Sequence, residues 1–429
     1  MKTKVAVIGS GISGLSSALF LSKKCDVYLF EKNSILGGHT RTVNFIENKR
    51  NLSIDTGFIV FNDKNYPDLI SFFKYLKVPT NHSNMSFSVS SAESNFEYGG
   101  ANLNALFAQR KNIFSLKFLY LIIEILSLYK KANKIYLNQI NNKNITIENF
   151  LNTNGFSEKL KELHLYPIIS SIWSVNNNDV KNFPFLSFVE FFSNHGLFSI
   201  YKRPQWKFVE GGSYSYVKKI IDKNLFNFQL NSKISKISRK NNQIQIFTEK
   251  EKFIFDKLIF ANHADQALEL LDTPSDNENN ILSLFTYSKN KAYLHTDNSF
   301  MPKSNNAWSS WNFLKKKNTE KFSLTYWMNQ LQKIDSNINY FVTINPSNIP
   351  NNIIDSTMFE HPIFTTKTHT AQKKLNTIQG FNNTFYCGSY CGYGFHEDGI
   401  QSAAYISNLF QVKLPWERNS NFVSRLNYS

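Results

Sequence analysis

An α/β chain in two units is the architecture the 429-residue sequence predicts: a parallel, doubly wound sheet interrupted by an inserted α+β unit of antiparallel sheet plus helices. Three observations carry it. A short apolar run, Lys4-Val-Ala-Val-Ile8, passes through closely spaced glycines into a helical pattern at Ser13 to Lys24. A second apolar run follows at Asp26 to Phe30, which makes a βαβ start. From about residue 61 the texture changes to long helical stretches such as Leu103 to Tyr136, and alternating segments at Lys291 to His295 and Phe322 to Met328 predict an antiparallel sheet. Finally, glycine is rationed: 17 residues in 429 against a usual share of about 7%. Since glycine permits positive φ and close backbone approach, its few sites mark where those properties are needed.

The remaining elements follow in order. Leu230, Ile234 and Ile237 precede Gln243 to Phe247 and Phe253 to Phe260, a meander ending in an apolar parallel strand. Thr384 to Cys387 reads as the last strand and Asp398 to Phe410 as the closing helix. Asn-rich patches near 137–144 and 276–280 read as surface loops.

Composition excludes several classes. Lys+Arg 48 against Asp+Glu 32 gives a formal +16, but charged residues are only 19% of the chain, so acids are scarce rather than bases abundant. The basic residues are spread without a Lys/Arg-rich block, which points away from nucleic acid. The 39 Phe, 20 Tyr and 6 Trp argue against disorder. Three cysteines cannot frame a disulfide-dense secreted fold, and a cytoplasmic setting is expected. Met-Lys-Thr-Lys before an apolar run mimics a signal peptide, yet that run holds three glycines and lacks a small-residue cleavage site. No uncharged stretch of 18 apolar residues occurs, so no transmembrane helix is expected. Ile113 to Tyr129 comes nearest, interrupted by Lys117 and Glu124; core helix, tunnel wall and membrane-surface contact all stay open for it.

Gly9-Ser-Gly11-Ile12-Ser13-Gly14 sits between strand and helix, as a Rossmann-type dinucleotide fingerprint requires. The first glycine makes the turn, the second admits a diphosphate, and the third lets helix pack on strand. Glu31 closes the second strand 20 residues after Gly11, placed for ribose hydroxyls, with Lys32 beside it. A second glycine turn follows at Leu36-Gly37-Gly38-His39-Thr40-Arg41-Thr42, for which a nicotinamide dehydrogenase has no standard use.

With that turn the sequence resembles the flavoprotein superfamily of monoamine oxidases, protoporphyrinogen oxidases and phytoene desaturases, which carries Gly-Gly-Arg-x-x-Ser/Thr beside the FAD diphosphate and flavin. His39 stands where arginine is usual, so the resemblance leaves Arg41 to supply the positive charge. Asp55-Thr56-Gly57-Phe58 resembles the family's Asp-x-Gly element near the flavin. Phe208 to Ser213 resembles the return from the substrate domain, and Asn231 to Ile237 the strand whose backbone meets adenine at Ile234. Asp256 to Ala261 resembles the strand closing the cofactor domain, with His263 in a loop role. Gly388-Ser389 takes the place of a Gly-acid pair at the ribityl chain, and Gly392 to Gly399 leads through Ile400 into a helix whose N-terminus faces the flavin. That run, with Ser171 to Ser174, Asn194 to Leu197 and Arg203 to Trp206, is similar to a bacterial subgroup linked with cyclopropane-fatty-acid-synthase-like methyltransferases.

The resemblance implies an FAD domain at 1–60, 205–280 and 370–429, and a substrate domain at 61–204 and 281–369. It implies an FAD-dependent oxidoreductase that dehydrogenates or desaturates an apolar substrate such as a fatty acyl chain by hydride transfer to flavin N5. An amine oxidase, or a non-catalytic flavin- or lipid-binding protein, remains the alternative. Tyr393 is expected to shape the substrate cavity and His396 or Glu397 to accept a proton, unless Glu397 only caps the last helix. Cys387 and Cys391 read as small buried residues, and no metal spacing occurs. The expected partners are a small-molecule or lipid substrate and no nucleic acid, with peripheral membrane contact on the cytoplasmic face and the electron acceptor left open.

Overall fold

The computed structural model describes residues 2–137, 145–173, 177–198, 204–317, 322–420 and 422–426. The Asn-rich patch after Leu137, Ser174 and Arg203 lie outside them.

Strand β1 (Lys4–Ile8), helix α1 (Ile12–Leu21) and strand β2 (Asp26–Phe30) form the expected βαβ start. Both faces of β1 are covered: Val5 and Val7 pack into one core with α1, Ala6 and Ile8 into another with the meander at residues 234–255. This two-sided burial is why the strand reads as an unbroken apolar run. All ten residues of α1 are buried, so that helix shows no polar stripe. The C-terminal helix packs along it, and Phe20 meets Phe72 of α2 (Pro67–Leu76) edge to face with ring centroids 5.9 Å apart.

A substantially helical segment follows, including α3 (Leu116–Leu137) and α4 (Phe185–Asn194). The chain then returns to the first sheet with β3 (Asn227–Gln229), β4 (Lys257–Phe260) and β5 (Thr384–Tyr386) before α5 (His396–Leu409). The five strands lie in the order β3-β2-β1-β4-β5, all parallel. A separate seven-stranded sheet runs Ile353–Ile363, Thr286–His295, Phe341–Ile344, Phe322–Trp327, Trp311–Lys315, Phe87–Ser91, Phe96–Gly99. Each neighbouring pair in it is antiparallel except Trp311–Lys315 on Phe87–Ser91.

Two local expectations differ from the structure. The long helical stretch expected over Leu103 to Tyr136 is interrupted, running as Leu103–Leu106, a 3-10 turn at Arg110–Phe114, and α3. Asn102 caps the first piece, its Oδ1 accepting from Ala105 N at 2.9 Å, and the chain restarts at Ser115. The Asn-rich patch at 276–280 is helical, Asp276–Leu282, because Ser275 and Glu278 form a reciprocal capping box that outweighs the low propensity of asparagine.

Candidate functional site

The carboxyl ends of β1, β2, β4 and β5 face one cavity of about 1780 Å³, as expected for a ligand site in an open α/β sheet. It is larger than the roughly 300–1000 Å³ of an ordinary ligand pocket, and its two ends differ in chemistry.

The nucleotide end is built by glycines. At Gly9, φ is +98°, and a Cβ on Gly14 would stand 1.8 Å from the Gly9 carbonyl oxygen, so helix and strand can pack only without side chains there. A Cβ on Gly11 would meet nothing within 4 Å: it would project into the cavity. Gly11 caps α1 with no side-chain acceptor, so the first-turn N–H groups of Ile12 and Ser13 are left for an anion. Gly38 of the second turn lies against Gly11, and Gly37 N donates to the Ser10 carbonyl at 3.1 Å, which brings the two glycine turns into contact. Glu31 is held by the Ser10 hydroxyl at 2.5 Å, Ser10 N at 3.1 Å and Asn33 N at 2.9 Å. Lys32, Ile234 and Ser232 line the same end, and the buried Ser232 Oγ has no partner.

The middle of the cavity carries His39, Thr40, Arg41, Gly57, Phe58, Gly388, Ser389 and His396. His396 stacks on Phe58 with centroids 3.7 Å apart, and its Nε2 lies 3.0 Å from Thr40 Oγ1 and 3.3 Å from the Tyr216 hydroxyl. Packing around the ring pushes its pKa down to about 3, so it stands there as a neutral imidazole rather than a ready proton acceptor. His39, His263 and His361 cluster beside Glu360; among the described residues no group of three or more His, Cys, Asp and Glu side chains could hold a metal. Cys25, Cys387 and Cys391 are buried thiols, none of them in a disulfide.

Several expected site residues are engaged by the fold itself, Arg41 while still lining the cavity. Arg41 is engaged by Asp355 through two nitrogens, at 2.5 and 3.1 Å, so its charge joins the second glycine turn to the edge of the seven-stranded sheet. Gly399 and Ile400 do not reach the cavity: a Cβ on Gly399 would meet Ile12 Cγ2 at 2.6 Å, and Ile400 is core, so this part of α5 serves to pack on α1. Glu397 is also turned away. Its carboxylate accepts from Asp68 N at 3.0 Å and Leu69 N at 2.9 Å, capping α2, and burial beside Asp68 pushes its pKa up to about 7. Tyr393 lies behind the wall, donating to Glu190 at 2.8 Å. Asp55 joins three segments: it accepts from Ser213 N at 2.8 Å, Thr42 Oγ1 at 2.6 Å and Gln332 Nε2 at 3.1 Å.

The far end is an apolar chamber walled by Leu106, Ile122, Ile125, Ile168, Ile172 and Phe192. Two histidines enter it: His195 belongs to the Asn194 to Leu197 segment of the resemblance, whereas non-local packing alone puts His164 there. His164, on a π-turn at Lys161–Leu165, bridges the Tyr98 and Tyr129 hydroxyls at 2.7 and 2.8 Å. His195 Nδ1 donates to the Phe191 carbonyl at 2.8 Å, which leaves Nε2 as a buried acceptor without a partner. Burial lowers both pKa values to about 3.

A strand, a glycine turn and a helix N-terminus aligned on one cleft define a dinucleotide-binding unit, and the model of the NAD(P)-binding Rossmann-like domain matches residues 7–76. With the second glycine turn and the facing seven-stranded sheet, the fold is that of the flavin amine oxidase type. Similar solved structures include a CLA-producing fatty acid isomerase from P. acnes, at TM-score 0.66 and 13% identity over 95% of this chain and 98% of that one. Cyclohexylamine oxidase from Brevibacterium oxydans IH-35A gives 0.64 and 13% over 96% and 100%. Wild-type putrescine oxidase bound to putrescine gives 0.69 and 11% over 96% and 100%. What is shared at these identities is the fold. No curated protein matches in sequence.

Proposed function

We propose that this chain is an FAD-dependent oxidoreductase that dehydrogenates or desaturates an apolar stretch of its substrate, such as a fatty acyl chain. The observation that carries the reading is one cavity joining a helix N-terminus without a side-chain cap to an apolar chamber. The donor set suits FAD: open space over Gly11, the first-turn N–H groups of α1, a Glu31 carboxylate fixed for ribose hydroxyls, and the unpartnered Ser232 hydroxyl. When bound, the flavin supplies a hydride acceptor. The protein's own residues then bind, orient and exclude water.

Chamber chemistry selects the substrate class. Among the described residues, those walling the far end include no Asp or Glu, and His164 and His195 are held neutral. An ammonium group entering there would lose its hydration without gaining a counter-charge. The segment that enters is therefore uncharged, with hydrogen-bonding partners that include the Tyr98–His164–Tyr129 chain and His195 Nε2.

The test is anaerobic titration of the purified yellow protein with unsaturated fatty acids and, separately, with mono- and diamines. Bleaching of the flavin band by an acyl lipid alone supports the proposal. Bleaching by an amine alone makes it an amine oxidase, and a folded protein that takes up no FAD overturns the reading altogether.

A further inference from the structure

The helix α3 has two apolar faces. Phe118, Leu121, Leu128 and Ala132 are buried against the body, while Leu116, Leu119, Tyr120 and Ile123, at the i, i+3, i+4 and i+7 positions of one helix face, meet solvent. Phe114 and Leu116 are 87% and 82% exposed, and Leu103 of the preceding turn 74%. A helix apolar on both sides has a second burial partner, and contiguous exposed apolar patches of this kind mark interaction surfaces.

Charge says which surface. Arg110, Lys111, Lys117, Lys130, Lys131 and Lys134 are all exposed on the same segment. Its one acid, Glu124, is buried and accepts from Ser157 N at 2.9 Å and Ser157 Oγ at 2.5 Å. Large apolar side chains rimmed by cations fit the boundary between headgroups and acyl chains of an anionic bilayer. Among the described residues no helix is long and apolar enough to cross a membrane, so the segment lies on the bilayer rather than spanning it.

The patch is also the outer side of the chamber wall. Leu106, Ile122 and Ile125 line the cavity from this segment, and Leu103 and Leu126 both line it and reach solvent. We propose that residues 103–126 dock on an anionic lipid surface, seating Leu103, Phe114, Leu116, Tyr120 and Ile123 in the bilayer. The mouth of the apolar chamber then opens onto the membrane rather than onto water. The docking rests on exposure and charge and does not depend on the reaction proposed above.

Flotation of the flavin-loaded protein with vesicles tests this. Vesicles of phosphatidylcholine and phosphatidylglycerol in equal parts are expected to carry the protein, less so at high salt, while phosphatidylcholine alone carries little. Phe114→Ser with Leu116→Asp is expected to weaken binding by roughly 10-fold or more. Melting temperature and flavin absorbance should be unchanged, because both side chains are solvent-facing. Wild-type protein that ignores both vesicles overturns the proposal, as does a double variant that binds like wild type. Self-association removed by the double variant, without vesicle binding, would assign the patch to a second copy of the chain and equally overturn it.

Discussion

The Glu397 carboxylate receives the backbone N–H groups of Asp68 and Leu69, so an acid in the first turn of α5 caps a helix 329 residues earlier in the chain. This makes Glu397 a stability residue. Glu397→Gln is expected to cost about 1–2 kcal/mol, the loss of a helix cap. Denaturant melts should show the drop while flavin content and turnover per flavin stay near wild type. A variant that melts like wild type but no longer turns over would return Glu397 to the chemistry.

Gly11 and Gly14 are three residues apart and should fail in different ways. In Gly14→Ala the Cβ would meet the Gly9 carbonyl oxygen at 1.8 Å, and the expected outcome is loss of folded protein. In Gly11→Ala the methyl group has free space, so the protein should fold with a near-normal melt and bind FAD roughly 10-fold or more weaker, by crowding of the diphosphate. Fluorescence titration of the flavin-free proteins distinguishes the two; full FAD affinity in Gly11→Ala would contradict the assignment of this turn.

Ile168 and Ile172 project into the chamber from the end distant from the glycines. Replacing either by Trp should shorten the usable space. Flavin reduction by a long-chain substrate is expected to slow by roughly 10-fold in kcat/KM, with a short-chain analogue little affected. Equal effects on both lengths would place the acyl chain elsewhere.

Acid should destabilise the protein. His164, His195, His361 and His396 are each lowered from 6.5 to about 3 by burial, so between these values the unfolded chain binds more protons than the folded one and stability falls as pH falls. Asp55 and Glu397, raised to about 7, act in the opposite sense over roughly pH 4–7, since the folded form then holds the extra proton. His263 is lowered to about 3, His295 to about 4 and His39 is lowered too, while burial also raises Asp265 and Asp398; seven histidines against four carboxylates leave a net loss on acidification. The urea midpoint should be lower at pH 5 than at pH 7.5; an equal or higher midpoint would mean the histidines are not buried as neutral rings.

Much of the cofactor end is legible in the sequence because its signals are local. Lys4–Ile8 and Asp26–Phe30 fall where the apolar runs put them, and the glycine spacing marks the turn between. The closing helix begins two residues earlier than its pattern suggests, because the Asp398 side chain accepts from Phe395 N and fixes its first turn. The chamber is not legible. Tyr98, Tyr129 and His164 meet across intervals of 66 and 35 residues, and no short-range pattern announces a contact of that span. Arg41 shows the same limit: its position beside the glycine turn suggests phosphate, while a partner 314 residues away claims its guanidinium.

The burial of β1 on both faces has a consequence for biosynthesis. Its hydrogen-bonding neighbour β4 arrives late: the bond from Lys4 N to Asp256 spans 252 residues. At a synthesis rate of roughly 5–20 residues per second, the first strand waits on the order of 10–50 s with one edge unpaired and the Ala6 and Ile8 face without its late-arriving cover. Nascent chains halted before Phe260 should therefore be the aggregation-prone species, and a holding chaperone the partner that this topology most needs while the chain is being made.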